Sequence, residues 1–329
     1  MMEVNKVDRI LFIAPFFYNY EIDIFNELKE HSNNVDTVFY SYGQHKLPWK
    51  KKKKKKIISQ QKLEILELMQ TNKYDLLFVL KGEILSKSDI NLFKSLNPLS
   101  KTLVYQWDSI KNLPFDFDFI EAFDFKFTFD HTDAENHEDL KLRPLFFTKE
   151  FKQSEELQIE YEFATVGGFK LSRVNFINML KNQFPSSKFK IRLRTFLTFN
   201  IFHNIIKTGL KKYFDYALFK DLNRTEISIL LNKAKVIIDI PNKGQTGLSM
   251  RTIETLGLQK KIITTCSHIK KYDFFDSNNH LIIDDCSKNQ IFEFLEKPYQ
   301  KITDEVISKY SLKGFINSLI NNRVEKYLK

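Results

Sequence analysis

Residues 236–263, VIIDIPNKGQTGLSMRTIETLGLQKKII, decide the fold of this chain. The stretch begins with a short apolar run, residues 236–240, which is typical of a buried parallel strand. A turn rich in Gly, Pro and Asn follows, and then a helical stretch over about 248–256 that ends at Gly257. A second apolar run covers residues 261–265. The pattern predicts a strand, a loop, a helix and a further strand, as in an α/β protein.

The loop of this unit places groups suited to an anion directly before a helix. Its free backbone N–H groups and the positive end of the helix dipole favour negative charge. Arg251 and Glu254 lie one turn apart and share a face, so one can meet a phosphate while the other accepts hydrogen bonds from hydroxyl groups. The alternative is an ordinary strand–helix–strand unit with a surface ion pair. The loop residues are Gly244, Gln245, Thr246 and Gly247.

This stretch, G-L-S-M-R-T-I-E-T-L-G followed by K-K-I-I-T-T, resembles the donor-binding unit of GT-B glycosyltransferases. It is most similar to the small bacterial enzymes that build lipopolysaccharide and capsular polysaccharide. The resemblance implies that Glu254 holds the donor ribose and that the loop from Gly244 to Gly247 faces the diphosphate. Many retaining members have a second acidic residue eight positions before the ribose glutamate, where this chain has Thr246. The motif therefore leaves retention and inversion both open.

A second turn of the same kind follows the predicted strand over 161–166. It reads V-G-G-F-K, and Ser172 is a candidate N-cap for the next helix. The turn resembles the first loop of the GT-B donor domain, in which a basic residue neutralises the leaving diphosphate. The resemblance assigns Gly168, Lys170 and Arg173 to that loop. The alternative is a tight strand–helix turn with two solvated cations.

Length and element order predict two domains. A chain of 329 residues exceeds the usual size of a single core. Strands and helices alternate with short connections, which indicates doubly wound parallel sheets. The predicted fold is α/β, with two Rossmann-like doubly wound domains facing a cleft. We assign residues 1–150 to an acceptor-side domain, 151–311 to a nucleotide-sugar donor domain, and 312–329 to a helix that returns to the first domain.

Candidate catalytic residues of the N-terminal half follow its predicted strands. The loop after Pro15 lacks G-x-G-x-x-G, which counts against a dehydrogenase. An inverting glycosyl transfer needs a base for the acceptor hydroxyl, and open α/β sheets bind ligands at the carboxyl ends of their strands. Asp108, beside Trp107, is the leading candidate, although Trp107 could stack on a sugar or belong to the core. The other candidates are Glu83, in K-G-E, and Asp130, beside His131; each of the three could instead be a cap or a surface residue.

The net charge of +10 is uneven, because residues 50–56 are seven consecutive lysines. A solvated loop or helix entry is the simplest interpretation. The lysines could also attract anionic lipid headgroups. Nucleic acid is a third possibility, but no nucleic-acid-binding motif accompanies the run. Two cysteines form no disulfide framework, and no apolar run reaches membrane-spanning length. We expect a cytoplasmic protein that associates with the inner face of the plasma membrane if the lysines bind lipid.

The sequence thus predicts an enzyme that moves a sugar from a nucleotide-sugar donor to a saccharide or lipid-linked acceptor in bacterial surface polysaccharide synthesis. We expect no cofactor and no metal. The closest approach to a D-x-D metal motif is F-D-F-D-F at residues 115–119, which would become the site only in a metal-dependent single-domain fold. Two alternatives remain: a nucleotide-sugar epimerase or hydrolase of the same architecture, and a non-catalytic basic binding protein.

Overall fold

A computed structural model of the chain describes residues 7–40, 48–112, 118–153, 157–168, 171–194, 217–218, 222–242, 244–283, 288–321 and 327–328. These residues form two compact units. Unit 1 comprises the described residues within Met1–Leu145, Gln245–Gly247 and Leu312–Tyr327. Unit 2 comprises those within Phe146–Gly244, Leu248–Ser311 and Leu328–Lys329. The chain therefore passes from one unit to the other more than once.

Each unit contains a six-stranded sheet in which all paired strands are parallel. The strands are β1 Arg9–Pro15, β2 Asn34–Tyr40, β3 Leu76–Leu80, β4 Lys101–Gln106, β5 Phe125–Thr128, β6 Leu140–Leu142, β7 Tyr161–Gly168, β8 Phe189–Arg194, β9 Ala217–Leu218, β10 Ala234–Asp239, β11 Lys261–Thr264 and β12 His280–Ile282. The α-helices are α1 Tyr20–Leu28, α2 Pro48–Thr71, α3 Lys87–Leu96, α4 His131–Asn136, α5 Leu171–Gln183, α6 Arg224–Asn232, α7 Met250–Gly257, α8 Lys288–Glu296, α9 Asp304–Lys309 and α10 Leu312–Ile320.

In unit 1 the strand order is β2-β1-β3-β4-β5-β6. The central strand β3 reads LLFVL and is buried along its whole length, because it is covered on both faces. The chain moves to one side of β1 to form β2 and to the other side to form β3. Open parallel sheets bind ligands where the order reverses in this way, at the carboxyl ends of the strands. In unit 1 that place is the end of β1 and β3.

In unit 2 the strand order is β12-β11-β10-β7-β8-β9. The chain leaves β7 towards β8 on one side and later returns to pair β10 with the other side of β7. Strand β10 is apolar and almost wholly buried, as expected for a central parallel strand. The reversal point of unit 2 is therefore the carboxyl end of β7 and β10. Both sheets confirm the predicted α/β class with doubly wound parallel sheets.

The structure decides one alternative that the sequence left open and differs from one expectation. Of the two forms expected for the lysines at 50–56, a loop or a helix entry, the structure has the helix entry, since they belong to the first turns of α2, which begins at Pro48. The last helix ends at Ile320 and not near residue 328, and residues 322–326 lie outside the described part of the chain. Between residues 194 and 222, only the short strand β9, Ala217–Leu218, is described. No helix among the described residues is long and apolar enough to cross a membrane.

The C-terminal segment of unit 1 is attached through a buried arginine. Arg143 is 1% exposed, and its Nε donates a hydrogen bond to Ser318 Oγ at 2.6 Å. Its Nη1 donates to the Pro144 carbonyl at 2.9 Å, and its guanidinium lies 5.0 Å from the centroid of the Phe315 ring. A buried cation depends on such partners because it has no water to replace them.

We expect Ser318→Ala to lower the free energy of unfolding by about 1–3 kcal/mol, because it leaves a charged donor buried without its acceptor. Chemical denaturation measures the change. Ser95→Ala, on an exposed part of α3, is the matched control and should change stability by no more than about 0.5 kcal/mol. Equal stability of the two variants would show that the Arg143–Ser318 contact does not hold the segment.

Candidate active site

The turn after β7 brings a partly buried arginine to the reversal point of the unit 2 sheet. Arg173, near the start of α5, donates from Nη1 to the Gly168 carbonyl and from Nη2 to the Ile240 carbonyl, the latter at 2.6 Å. Gly168 ends β7 and Ile240 directly follows β10. One guanidinium thus links the ends of the two neighbouring strands. Lys170, the other cation predicted here, lies outside the described residues.

The glycine that this arginine requires is Gly167, which the sequence analysis did not select. A Cβ at Gly167 would lie 2.7 Å from Arg173 Nη1, whereas a Cβ at Gly168 would meet nothing within 4 Å. Gly168, the predicted phosphate-loop glycine, accepts the Arg173 hydrogen bond through its carbonyl, and the space around it would admit a side chain. The sequence predicted that the glycine pair forms a phosphate-binding turn, and it gave no indication that Gly167 lies against Arg173.

The start of α7 is fixed by a carboxylate at the end of β10. Asp239 is 4% exposed, and its Oδ2 accepts hydrogen bonds from Ser249 Oγ at 2.5 Å and from Thr252 Oγ1 at 2.8 Å. Ser249 is also the N-cap of α7, and it accepts from the Thr252 N–H. None of these three residues was predicted as part of the site. They set the position of the helix that presents Arg251 and Glu254.

Arg251 and Glu254 form a close pair on the buried side of α7. Their side chains are 14% and 3% exposed, and Arg251 Nη1 lies 2.6 Å from Glu254 Oε2. The two atoms do not meet in hydrogen-bond geometry, and Arg251 Nε and Nη1 have no hydrogen-bond acceptor among the described residues. Buried donors without an acceptor are costly and rare in folded proteins. The pair is therefore not the exposed surface ion pair of the alternative interpretation.

The two arginines concentrate positive charge at the carboxyl ends of β7 and β10. Burial lowers the pKa of Arg173; the carboxylate of Asp239 opposes that shift, and the charge of Arg251 adds to it. Arg251 is thus close enough to repel Arg173. The Arg173 guanidinium stays protonated despite this shift, since arginine cannot lose its proton in a protein. The buried donors of Arg251 that have no acceptor in the described chain thus lie near a second cation, an arrangement that suits recognition of an anion.

The loop at residues 244–247 is arranged differently from the prediction. Gly244 has φ +77°, a conformation that favours glycine. Gln245 donates to the Gly247 carbonyl at 2.9 Å. The backbone N–H groups of Thr246 and Gly247, which the sequence analysis directed at a diphosphate, instead donate to Asp130 Oδ2 at 3.1 and 3.3 Å. Those two donors are occupied within unit 1.

Asp130 is the centre of this arrangement. Besides the loop N–H groups, it accepts from Ser109 Oγ at 2.5 Å, from the Thr246 hydroxyl and from the Thr132 N–H at 3.0 Å. Burial raises the pKa of Asp130, but the hydrogen bonds outweigh burial and hold the pKa below its usual value. A carboxylate with a low pKa and occupied oxygens is a poor proton acceptor. We assign Asp130 to holding the loop, in place of the predicted catalytic role.

Gly247 is needed where the loop reaches Asp130. A Cβ at this position would overlap the Phe129 carbonyl oxygen and lie 2.5 Å from a carbon of the Phe129 ring. Phe129 directly precedes Asp130, so the same contact that brings the Gly247 N–H to the carboxylate leaves no space for a side chain. Gly247, which was predicted to face a diphosphate, instead lies against the backbone and the ring of Phe129.

The ends of β3 and β4 in unit 1 bring together the remaining predicted carboxylates. Asp108 is 45% exposed and forms an ion pair with Lys81, whose side chain is 4% exposed. Glu83 Oε2 accepts a hydrogen bond from the Tyr40 hydroxyl at 2.9 Å. Tyr40 is the last residue of β2, and no sequence signal pointed to it. Lys81, Glu83 and Asp108 were chosen from their places after predicted strands, and the structure gathers them at one edge.

Trp107 does not offer a face for a sugar. It is 5% exposed and packs against Phe17 and Tyr20, with ring centroids 5.5 and 5.8 Å apart. The exposed aromatic residues at this edge are Phe16 and Tyr18, which are 56% and 61% exposed. Burial of Trp107 confirms the core alternative that the sequence left open.

No group of three His, Cys, Asp or Glu side chains within the described ranges could hold a metal ion; Asp116 of the F-D-F-D-F stretch lies outside them.

The two adjacent glycines provide a direct test of the Arg173 contact. We expect Gly167→Ala to displace the guanidinium and to lower the free energy of unfolding by about 1–3 kcal/mol, the range for a lost hydrogen bond with an unsatisfied partner. Gly168→Ala is the matched control, since its Cβ meets nothing within 4 Å, and we expect a change of about 0.5 kcal/mol or less. Chemical denaturation of both variants measures the difference. A larger loss for Gly168→Ala would contradict the arrangement.

Comparisons with known proteins agree on the fold. Neither a protein-family model nor a curated protein matches the chain. The lipopolysaccharide outer core galactosyltransferase WaaB is 11% identical with a TM-score of 0.56, covering 95% of this chain and 99% of that chain. AviGT4, a glycosyltransferase involved in avilamycin A biosynthesis, is 8% identical with a TM-score of 0.58. The match covers 96% of this chain and 98% of AviGT4. The UDP-GlcNAc 2-epimerase from Methanocaldococcus jannaschii is 10% identical with a TM-score of 0.56. The match covers 95% of this chain and 99% of the epimerase. This chain has the GT-B fold, which these glycosyltransferases and the epimerase share.

Proposed function

We propose that this protein is a glycosyltransferase that moves a sugar from a nucleotide-sugar donor to a hydroxyl group of a saccharide or glycolipid. The observation that supports it is the pair of neighbouring arginines at the reversal point of the unit 2 sheet. Negative charge develops on the leaving diphosphate as the bond to the sugar breaks. Guanidinium donors placed where that charge develops lower the barrier. Arg251 has buried donors without an acceptor in the described chain, and Arg173 supplies a second positive charge.

In this proposal the donor nucleotide contacts α7 through a cation and a carboxylate. Arg251 binds a diphosphate oxygen, and Glu254 accepts hydrogen bonds from ribose hydroxyls. The separation of one helical turn lets both side chains act on the same side of the helix. Charge compensation comes from the two arginines, so the proposal needs no metal ion and no cofactor. Asp239, through Ser249 and Thr252, fixes the helix that presents both groups.

We further propose a role in bacterial surface polysaccharide synthesis. The support is the sequence resemblance of residues 247–265 and the fold shared with WaaB, which is described as a lipopolysaccharide outer core galactosyltransferase. The acceptor in this proposal is a saccharide or a lipid-linked saccharide, and the reaction takes place in the cytoplasm.

A nucleotide-sugar epimerase is the second candidate, because the Methanocaldococcus jannaschii UDP-GlcNAc 2-epimerase has the same TM-score as WaaB. The two activities differ in their products. Incubation with UDP-glucose, UDP-galactose, UDP-GlcNAc and GDP-mannose, followed by proton NMR, separates them. Transfer to water or to an added glycoside releases the nucleoside diphosphate. Formation of an epimeric nucleotide sugar as the principal product, without an acceptor, would replace the transferase proposal by the epimerase.

Two variants of α7 test the donor site. We expect Arg251→Lys and Glu254→Gln to weaken binding of UDP or GDP, whichever the wild type binds, by about tenfold or more, since each removes a charge-assisted hydrogen bond of about 1.5–3 kcal/mol. Isothermal titration calorimetry measures the dissociation constants. Glu305→Gln, on the exposed face of α9, is the matched control and should leave affinity unchanged. Wild-type affinity in both α7 variants would remove the donor site from this helix.

We also propose that unit 1 associates with anionic membranes. Seven lysines occupy the first turns of α2, and the first turn of that helix contains no acidic residue. Positive charge at a helix N-terminus is unfavourable towards the helix dipole, and an anionic surface would offset that cost. Helix α2 follows β2 in the chain, so its first turn lies towards the edge of the sheet at which the parallel strands have their carboxyl ends.

Replacement of residues 50–56 by glutamine should weaken binding to phosphatidylglycerol vesicles, since each lysine near an anionic surface contributes about 1 kcal/mol. Vesicle sedimentation at fixed ionic strength measures the change. The control lowers the net charge by the same amount, because it changes seven exposed lysines of unit 2 to glutamine: Lys149, Lys152, Lys188, Lys270, Lys271, Lys297 and Lys301. Equal losses in the two variants would show that total charge, and not the run, determines binding.

A further inference from the structure

The loop between β1 and α1 has three consecutive aromatic residues in two different environments. The middle ring, Phe17, packs against Trp107 and Tyr20, with ring centroids 5.5 and 6.1 Å apart. Its neighbours Phe16 and Tyr18 are 56% and 61% exposed. Single exposed apolar side chains are common on proteins, but two large exposed rings on either side of a packed one form an apolar surface that requires an explanation.

Hydrogen bonds hold the start of this aromatic loop, residues 16–19. The Phe16 N–H donates to the Tyr40 carbonyl at 2.9 Å, so the loop leaves the sheet from a position fixed against β2. The Phe17 N–H donates to a carboxylate oxygen of Glu21 at 2.9 Å, and Glu21 is 2% exposed. The direction of the backbone that presents the two exposed rings is therefore set from within the protein.

The second half of the aromatic loop is strained. Tyr18 and Asn19 have φ values of +53° and +65°. Asparagine tolerates this conformation, but a tyrosine adopts it at a cost in free energy. Strained residues persist where the surrounding structure holds them, and they cluster at functional sites. A tyrosine at a position that glycine would occupy more easily indicates a use for its exposed side chain.

Helix α2 carries the lysine run past the same edge of the unit 1 sheet. Gln61 Nε2 donates to the carbonyl of Phe39, the last residue but one of β2, at 2.9 Å. At 1.5 Å per residue, residues 50–56 lie about 8–17 Å along the helix before Gln61, and hence beyond the end of β2. The Phe39 ring lies 6.0 Å from the Phe16 ring. The lysine run and the aromatic loop therefore belong to one edge of unit 1.

We propose that Phe16 and Tyr18 insert into the interfacial region of an anionic lipid bilayer, while the lysine run binds its headgroups. This inference rests on the proposed association of unit 1 with anionic membranes, and it names the residues that enter the lipid. Aromatic side chains favour the boundary between headgroups and acyl chains, where the ring is buried and a hydroxyl keeps contact with water. Ile22, in the first turn of α1, is 43% exposed and extends the apolar surface.

A saccharide is the other class of ligand that exposed aromatic rings bind. Small-molecule pockets enclose most of the surface of their ligand and place a few polar groups at defined positions. Phe16 and Tyr18 are each more than half exposed, and the charge at this edge is a run of lysines on a helix whose first turn has no acidic residue. Charge of one sign spread over several helical turns suits an extended anionic surface better than a neutral sugar ring.

The first test replaces both rings. We expect Phe16→Ser/Tyr18→Ser to weaken binding to phosphatidylglycerol vesicles by about tenfold or more, because two aromatic side chains no longer bury apolar surface in lipid. Vesicle sedimentation measures the partition coefficient. The control, Leu99→Ser/Phe292→Ser, removes side chains that are 95% and 58% exposed elsewhere. Leu99 precedes β4, at the opposite edge of the unit 1 sheet, and Phe292 lies on α8 of unit 2. This control should bind as the wild type does.

Ionic strength separates the contribution of the rings from that of the lysines. Salt screens the attraction between lysines and anionic lipid but not the burial of apolar surface. In high salt, the variant with residues 50–56 changed to glutamine should bind as weakly as the wild type and no more weakly. Phe16→Ser/Tyr18→Ser should remain weaker than both. A difference for the ring variant that salt abolishes would contradict insertion.

The depth of the rings can be measured with tryptophan fluorescence. The chain has two tryptophans, so Trp49→Phe leaves Trp107, which is 5% exposed. Phe16→Trp in this background adds a reporter within the aromatic loop. Lipids brominated along their acyl chains should quench the new fluorescence and leave that of the Trp49→Phe parent unchanged. No quenching in a protein that sediments with the vesicles would place the loop outside the bilayer and overturn the proposal.

These outcomes separate the inference from the association on which it rests. If the wild type does not bind phosphatidylglycerol vesicles, the association fails and the inference fails with it. If the wild type binds and Phe16→Ser/Tyr18→Ser binds equally well, the association stands on the lysines and only the inference is wrong. Vesicle binding that is unchanged, with weaker binding of a soluble oligosaccharide such as maltotriose, would assign the rings to a saccharide site instead. None of these measurements needs a sugar donor.

Discussion

The architecture of the candidate donor site depends on placing one guanidinium between the ends of two parallel strands. Arg173 donates hydrogen bonds to the carbonyl of the last residue of β7 and to the carbonyl that follows β10, and Gly167 leaves the space it needs. Asp239 supplies a nearby opposite charge, but its carboxylate also holds the hydroxyls of Ser249 and Thr252. Arg251 then adds a second positive charge. This concentration of charge is costly in the absence of an anion, which is why we interpret it as functional.

The loop before α7 binds a carboxylate of the protein, whereas its sequence indicates a phosphate. A glycine-rich turn ahead of a helix resembles a phosphate loop, yet the N–H groups of Thr246 and Gly247 bind the Asp130 carboxylate. The physical principle is the same, since both ligands are anions held by backbone donors. The protein supplies its own anion at this loop, and in the proposed function the arginine side chains bind the diphosphate.

The fold could be predicted well from local pattern. Apolar runs such as residues 236–240, alternating with helical spacing, were sufficient for two doubly wound parallel sheets, because buried strands and amphipathic helices have distinct periods. The sequence left the lysines at 50–56 open between a loop and a helix entry, because their mutual repulsion opposes the helix that the structure forms there. The motif placed Arg251 and Glu254 on one face of a predicted helix, and the structure has the two side chains as a close pair on α7. Tyr40, Asp239 and Gly167 were missed, because their roles come from contacts between residues far apart in the sequence.

The central claim is that the paired arginines form a nucleoside diphosphate site that works without a metal. The most direct measurement is a thermal-shift series with UDP, GDP and CMP, each with and without EDTA. A ligand at about one hundred times its dissociation constant stabilises the folded protein by about 2.7 kcal/mol, which raises the melting temperature measurably. The account predicts a shift with one diphosphate that EDTA does not change. No shift with any nucleotide, or a shift that EDTA abolishes, would contradict it.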